Sequence, residues 1–401
     1  MVLEPNLLYS RSNGMKDKIS ISNMASAQSH HYKALDHNAA EFRLVTFART
    51  EDGEIRGRLH VFRISECPVY IAISYTWGED PPQYTIYLDG QKFQLRENIY
   101  QALQSILILR ARNRPRDPPL PKKLRPHGLS RKAAECEYFW IDSICIDQTC
   151  FAERNHQVRM MGLIFSNTDL MISWLGRESD RSVDVMQAIC IGHATPSIPF
   201  AIGPPPLPQH LRDMLDIFAR LKYWSRLWIV QEIILAKDIL VGWGNVFLPW
   251  QDIVNVGLFA GSFPIRFQSY AHSLQGTHEY DENWVKFVME REQRKLPLKD
   301  AGRSADLVGR MKPPNLYALI IQFAGQQCFN PRDKVVGLLG LLSNDAAHLA
   351  DYEKPIDEYF REVCKYAFTT AGIDGEWDKR NFQCRLGDML GLSAPEYSVL
   401  V

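Results

Sequence analysis

The chain has 401 residues, 46% of them apolar or aromatic, enough for one large domain or two ordinary ones. Lys+Arg and Asp+Glu stand at 46 each, so the formal net charge is zero and a nucleic acid is not an expected partner. No apolar run approaches the ~20 residues that span a bilayer, residues 1–39 lack the apolar core of a signal peptide, and the eight cysteines form no CxxC pair, so the expectation is a cytoplasmic chain without disulfide scaffold, zinc ribbon or membrane span.

Residues 1–40, rich in Ser, Asn, His and Lys, read as a loose leader. Val69 to Thr76 is a continuous apolar run with β-branched and aromatic residues, the pattern of a buried strand. Two short strands then flank Asp89-Gly90, a pair suited to a tight hairpin. Glu97 to Arg110 has helical spacing, with Ile99, Leu103, Ile106 and Leu107 on one face. A proline-rich basic loop covers Arg110 to Arg131, and Tyr138 to Ile144 is a second buried strand. Glu153 to Phe165 is helical, with Val158, Met161 and Phe165 inward and Arg154, Gln157 and Arg159 outward. A third strand covers Asp169 to Leu175. After a loop at Pro196 to Pro208 come helices near Leu211 to Leu221 and Arg226 to Ala236, then a fourth strand at Ile239 to Trp243. Strands alternating with helices predict an α/β fold with a mostly parallel sheet flanked by helices. After about residue 250 only helical patterns remain, at Trp250 to Phe259, Tyr280 to Glu292, Ala301 to Phe323 and Ile356 to Thr370, so residues 251–401 read as a helical C-terminal region. The terminal GDMLGLSAPEYSVLV closes no element, so a truncated chain is expected.

Several residues stand out chemically. Glu232 lies in the apolar helix RLWIVQEIILA, where a carboxylate calls for a partner or a task. Trp228 is four residues earlier, on the same helical face. Either the two serve a ligand, or Glu232 pairs with Arg226 or Arg159. Asp142 ends a strand, where open parallel sheets bind ligands; it would otherwise cap the next helix or pair with Arg154 or Arg159. Ser74, Trp77 and Gly78 end the first strand. Gly78 would permit close backbone approach and Trp77 would stack on a base, or the Trp simply packs over a tight turn. Gly78-Glu79-Asp80 is neither a GxGxxG nor a P-loop motif, which disfavours ordinary Rossmann and P-loop enzymes. Cys145, Cys150, Cys190, His156 and His193 lack convincing metal spacing, and Cys145 sits in an apolar run, poor ground for a Cys145–His156 nucleophile pair. Pro331 to Lys334 opens a helix that would dock the C-terminal region onto the sheet.

Five blocks resemble a known family in type, spacing and order. They are YIAISYTWGED (70–80), FWIDSICIDQ (139–148), ERNHQVRMMGLIFSNTDLMISWLG (153–176), WSRLWIVQEIILAKDILVGWG (224–244) and FNPRDKVVGLLGLL (329–342). The chain resembles the heterokaryon-incompatibility (HET) domain proteins of filamentous fungi, with the domain over residues 41–250. The resemblance implies fungal allorecognition, a form of innate immunity that triggers programmed cell death. It implies a TIR-like, flavodoxin-like core. Several TIR domains cleave NAD with a glutamate in a W-x-x-x-E pattern, which Trp228 and Glu232 match. The resemblance therefore implies NAD as a substrate rather than a prosthetic cofactor, with Glu232 catalytic and Ser74, Trp77, Gly78, Asp142 and Trp228 lining the site. Self-association and an allelic or NLR-type protein partner are the implied interactions. A non-enzymatic signalling module acting through self-association is the alternative reading.

Overall fold

The computed structural model describes residues 30–112, 136–179, 181–193, 209–259, 287, 291–292, 315–342 and 344–393. Among them, nine strands form one sheet in the order β5-β4-β2-β1-β6-β3-β7-β8-β9. The strands are β1 (Glu41–Arg49), β2 (Ile55–Arg63), β3 (Tyr70–Tyr75), β4 (Tyr84–Leu88), β5 (Gln91–Leu95), β6 (Tyr138–Trp140), β7 (Leu170–Trp174), β8 (Ile239–Trp243) and β9 (Val246–Pro249). The helices are α1 (Glu97–Arg112), α2 (Asp142–Cys145), α3 (Phe151–Asn167), α4 (Ser182–His193), α5 (Gln209–Ala219), α6 (Ile229–Leu235), α7 (Trp250–Phe259), α8 (Leu316–Phe323), α9 (Asp333–Leu339), α10 (Ile356–Ala371) and α11 (Glu376–Leu390).

The expected α/β architecture is present, but the expected mostly parallel sheet is corrected to a mixed one. Four neighbouring pairs are parallel: β2 with β4, β6 with β3, β3 with β7, and β7 with β8. The other four are antiparallel. The physical reason lies in three ribbons. β1 and β2 pair over nine residues, β4 and β5 form the hairpin whose turn residues Asp89 and Gly90 both have positive φ, and β9 folds back on β8. The four expected buried strands are β3, β6, β7 and β8, contiguous and parallel at the centre. Every residue of β3, β7 and β8 is buried, as strands covered on both faces require.

Within this centre the chain visits β3, then β6 on one side, then β7 on the other, then β8. The direction of winding thus reverses at β3, and a crevice opens between the carboxyl ends of β3 and β7.

The helices after β9 pack on one flank. α9 lies against α6, where Gln231 donates to the carbonyl of Val336 at 3.1 Å. Gly340 lies so close to Gly162 of α3 that a Cβ on Gly340 would sit 2.8 Å from the Gly162 Cα. The Pro331–Lys334 element, expected to dock the C-terminal region onto the sheet, meets the start of α6 through Asp333, which accepts from Trp228 Nε1 at 3.2 Å, and ties the C-terminal region together through Arg332. Arg332 donates to the Asp351 carbonyl at 2.8 Å, and the guanidinium carbon lies 5.0 Å from the Tyr359 ring centre. The expected helix at 280–292 and the start of that at 301–323 lie almost wholly outside the described residues, as do residues 1–29 of the leader. Residues 30–39 lie against the domain: Leu35 is buried and the Tyr32 hydroxyl donates to Ile144 O at 3.0 Å.

One helical face differs from expectation. On α3, Gln157 points inward rather than outward, and Glu153 is buried with it. Gln157 donates to Glu41 O at 2.8 Å, and Glu153 pairs with buried Arg43. Cys145 and His156 form no pair: His156 stacks on His37 with ring centres 4.3 Å apart, and burial pushes the Cys145 thiol up to about 12. Among the described residues no helix is long and apolar enough to cross a membrane, and no group of three or more His, Cys, Asp or Glu is placed to hold a metal ion.

Candidate functional site

β3 and β7 both end in Ile-Ser-aromatic, and their register sets Ser74 beside Ser173, both buried. A short 3-10 turn, Lys222–Ser225, carries Tyr223 over these serines. Arg226 follows it, and the first turn of α6 adds Glu232. The Tyr223 hydroxyl and Ser74 Oγ are 2.7 Å apart, and Ser74 donates to Glu232 Oε2. Glu232 is 3% exposed. Arg226 Nη1 lies 3.8 Å from the same Oε2, and among the described residues this nitrogen has no hydrogen-bond partner. Burial, then the Glu232 charge, pushes the Tyr223 phenol well above its ordinary value, so it stays protonated and can donate.

A second acid stands next to this group. Asp142 begins α2 rather than lying within the strand, and it is buried. Trp77 Nε1 donates to Asp142 Oδ2 at 2.8 Å, and the Ser143 amide donates to Oδ1 at 2.7 Å. Tyr75 donates to Ser143 Oγ at 2.7 Å, and its phenol is raised by burial and by Asp142 and opposed by Arg226. Two carboxylates, two phenols and one guanidinium therefore share the ground under the β3 terminus.

An open cavity of ≈ 310 Å³ lies above, at the crevice between β3 and β7. Trp77 and Gly78 line it from the β3 side, Gly176 and Arg177 from the β7 side, and Trp243 from β8. Glu232 and Asp142 are not in its lining. Trp77 is the partition: it lines the cavity and also holds Asp142.

Of the residues singled out in the sequence, Ser74, Trp77, Asp142 and Glu232 converge here, and Gly78 lines the cavity. Trp228 is placed elsewhere. It is 2% exposed, its Nε1 donates to Asp333 Oδ2 at 3.2 Å, and it is not in the lining of this cavity. The physical reason is that α6 buries that side against α9. Tyr223, Ser173, Arg177 and Trp243 were not singled out as site residues. The repeated Ile-Ser-aromatic strand ending was the available signal for Ser173.

Asp333 is fully buried and accepts from Trp228 and, at 2.6 Å, from the Tyr352 hydroxyl. Burial pushes its carboxyl up to about 6 against these donors. A raised folded-state value gives stability that is complete below about 4 and lost as pH rises through about 6. The shift corresponds to about 3 kcal/mol. Subtracting the unfolding free energy of Asp333→Asn from that of the wild type should give a curve falling between pH 4 and 6 and flat above. A curve that rises over that window would refute the assignment.

These features define an α/β protein with a buried acid cluster beneath a cavity at the point where its parallel strands reverse. The family described as Heterokaryon incompatibility protein (HET) matches residues 118–232. It is similar to Heterokaryon incompatibility protein 6, OR allele, of Neurospora crassa, with 27% identity over 219 residues. That match covers 45% of this chain and 29% of the relative, so the chain spans less than a third of the relative's length. No solved structure matches it.

Proposed function

We propose that the protein acts in fungal heterokaryon incompatibility as an effector of nonself recognition that triggers programmed cell death. Its chemistry, in this reading, is hydrolysis of NAD at the nicotinamide–ribose bond, with Glu232 as the catalytic carboxylate. The observation that carries the reading is the convergence of Ser74, Trp77, Asp142 and Glu232 on the carboxyl end of β3, beside the switch-point cavity. The central order β6-β3-β7-β8, second-first-third-fourth along the chain, supports a flavodoxin-like and TIR-like core.

In the reaction the bond from ribose C1′ to the pyridinium nitrogen breaks, and its electron pair neutralises the nicotinamide ring. Water adds to C1′ and loses a proton, giving ADP-ribose. A carboxylate near C1′ stabilises the positive charge that develops there. Glu232 is buried and outside the cavity lining, which makes the present arrangement a resting one. Self-association, or an allelic or NLR-type partner, would supply the opening. The Arg226–Glu232 contact favours a second reading, a non-enzymatic signalling module in which Glu232 is a structural acid.

The experiment is cellular NAD content after induced expression in a fungal host, wild type beside Glu232→Gln at equal protein levels. NAD loss and death with the wild type alone are expected, with turnover by the purified variant down roughly a hundredfold or more. Death with NAD unchanged would leave the signalling module.

A further inference from the structure

The cavity at the crevice contains more chemistry than the acid cluster uses. Two indoles border it, Trp77 after β3 and Trp243 at the end of β8. Gln101, one turn into α1, adds an amide. Gly78 has φ +82° and Gly176 has φ +142°, and a Cβ on either would meet nothing within 4 Å. Both loops thus leave open space over their backbone, as a site needs where a ligand approaches main chain. The Arg177 guanidinium is 72% exposed and, among the described residues, is held by Glu97 alone at 3.2 Å, itself 29% exposed. An ion pair so solvated contributes little to stability, so Arg177 can exchange Glu97 for another anion without disturbing the fold. Arg96 differs: it donates to the carbonyls of Gly78 and Asp80 and fixes the loop after β3.

A volume of ≈ 310 Å³ is at the small end of ligand sites, sized for one nucleotide rather than two. We propose that this cavity binds a nucleoside phosphate, with the base on Trp77 and Trp243 and the phosphate on Arg177 in place of Glu97. The proposal rests on the reading of this sheet edge as an NAD site and assigns the adenosine phosphate half to the cavity. The nicotinamide riboside half then extends past Trp77 toward Asp142 and Glu232.

The test titrates ADP and adenosine into the full chain by calorimetry, for the wild type and for Arg177→Ala. Arg177 is a surface side chain, and equal melting temperatures will show that the variant folds. Saturable binding of ADP to the wild type is expected, weakened tenfold or more in Arg177→Ala and by added salt, with adenosine binding equal in the two proteins. Trp243→Phe should weaken ADP and adenosine alike. No ADP binding up to about 1 mM overturns the proposal, and so does equal ADP affinity in wild type and Arg177→Ala. Binding of ADP by a wild type that consumes no NAD upholds the site and removes the reaction. NAD consumption with unchanged KM in Arg177→Ala upholds the reaction and removes the site.

Discussion

Replacing Glu153 with alanine is expected to cost roughly 3–5 kcal/mol of folding stability, read as a shift in the urea midpoint at constant slope. Arg43 is 1% exposed and is the third residue of β1. Its guanidinium meets both Glu153 oxygens, with Nη2 at 2.9 Å from Oε2, in a bidentate pair. It also donates to Cys145 O at 3.1 Å and to Lys33 O. Removing the carboxylate strands a buried cation and leaves the Asp147 amide, which donates to Glu153 Oε1 at 2.7 Å, without its acceptor. The double replacement Arg43→Met with Glu153→Leu should recover most of the loss, because the cost lies in the unpaired charge rather than in the absence of the pair. A double variant no more stable than Glu153→Ala would show that Arg43 matters mainly through its carbonyl contacts. Those contacts reach the candidate site, since Cys145 closes the short helix that Asp142 opens.

Gly340→Ala is the second change with a large expected effect, about 3 kcal/mol, the upper part of the range for overpacked interiors. The new methyl would meet Gln231 Oε1 at 2.5 Å and the Gly162 Cα at 2.8 Å. A side-chain amide can turn away, but the backbone of α3 cannot shift without moving the helix. The loss should exceed that of Gly325→Ala, where a Cβ meets nothing within 4 Å. Limited proteolysis should show earlier cutting in the region after α9. Equal stability of the two alanine variants would mean that α3 and α9 separate without cost.

The parallel centre was legible because β3, β7 and β8 are apolar on both faces, a pattern with few competing readings. The Asp89-Gly90 turn was legible because few other residue pairs accept those backbone angles. β1 and β2 were hidden by arginines at 43, 49, 56, 58 and 63, which broke the apolar alternation although Phe42, Leu44 and Val45 are buried. The inward turn of Gln157 and Glu153 was hidden for a related reason: their partners, Glu41 O and Arg43, lie more than a hundred residues away. At the site, one of the two arginines offered as partners for Glu232 is the one found near it. Arg159 instead donates to Ala350 O. Helical spacing placed Trp228 and Glu232 on one face, but that spacing carries no information about what packs on each side. Asp333 takes the indole, and the sequence showed this only as two blocks occurring in one chain.

The ends of the sheet set a limit on how copies of this chain can meet. Its outermost strands among the described residues are β5, five residues with Lys92 exposed, and β9, four residues ending in Pro249. α4 and α7 pack against β9. Short, charged, proline-ended or helix-covered margins are how proteins prevent strand-to-strand joining. Among the described residues, any contact between copies of this chain would therefore be built from side chains on helices and loops. An assembly held this way would disassemble when those contacts are diluted or salted, unlike a fibre stitched by main-chain amides.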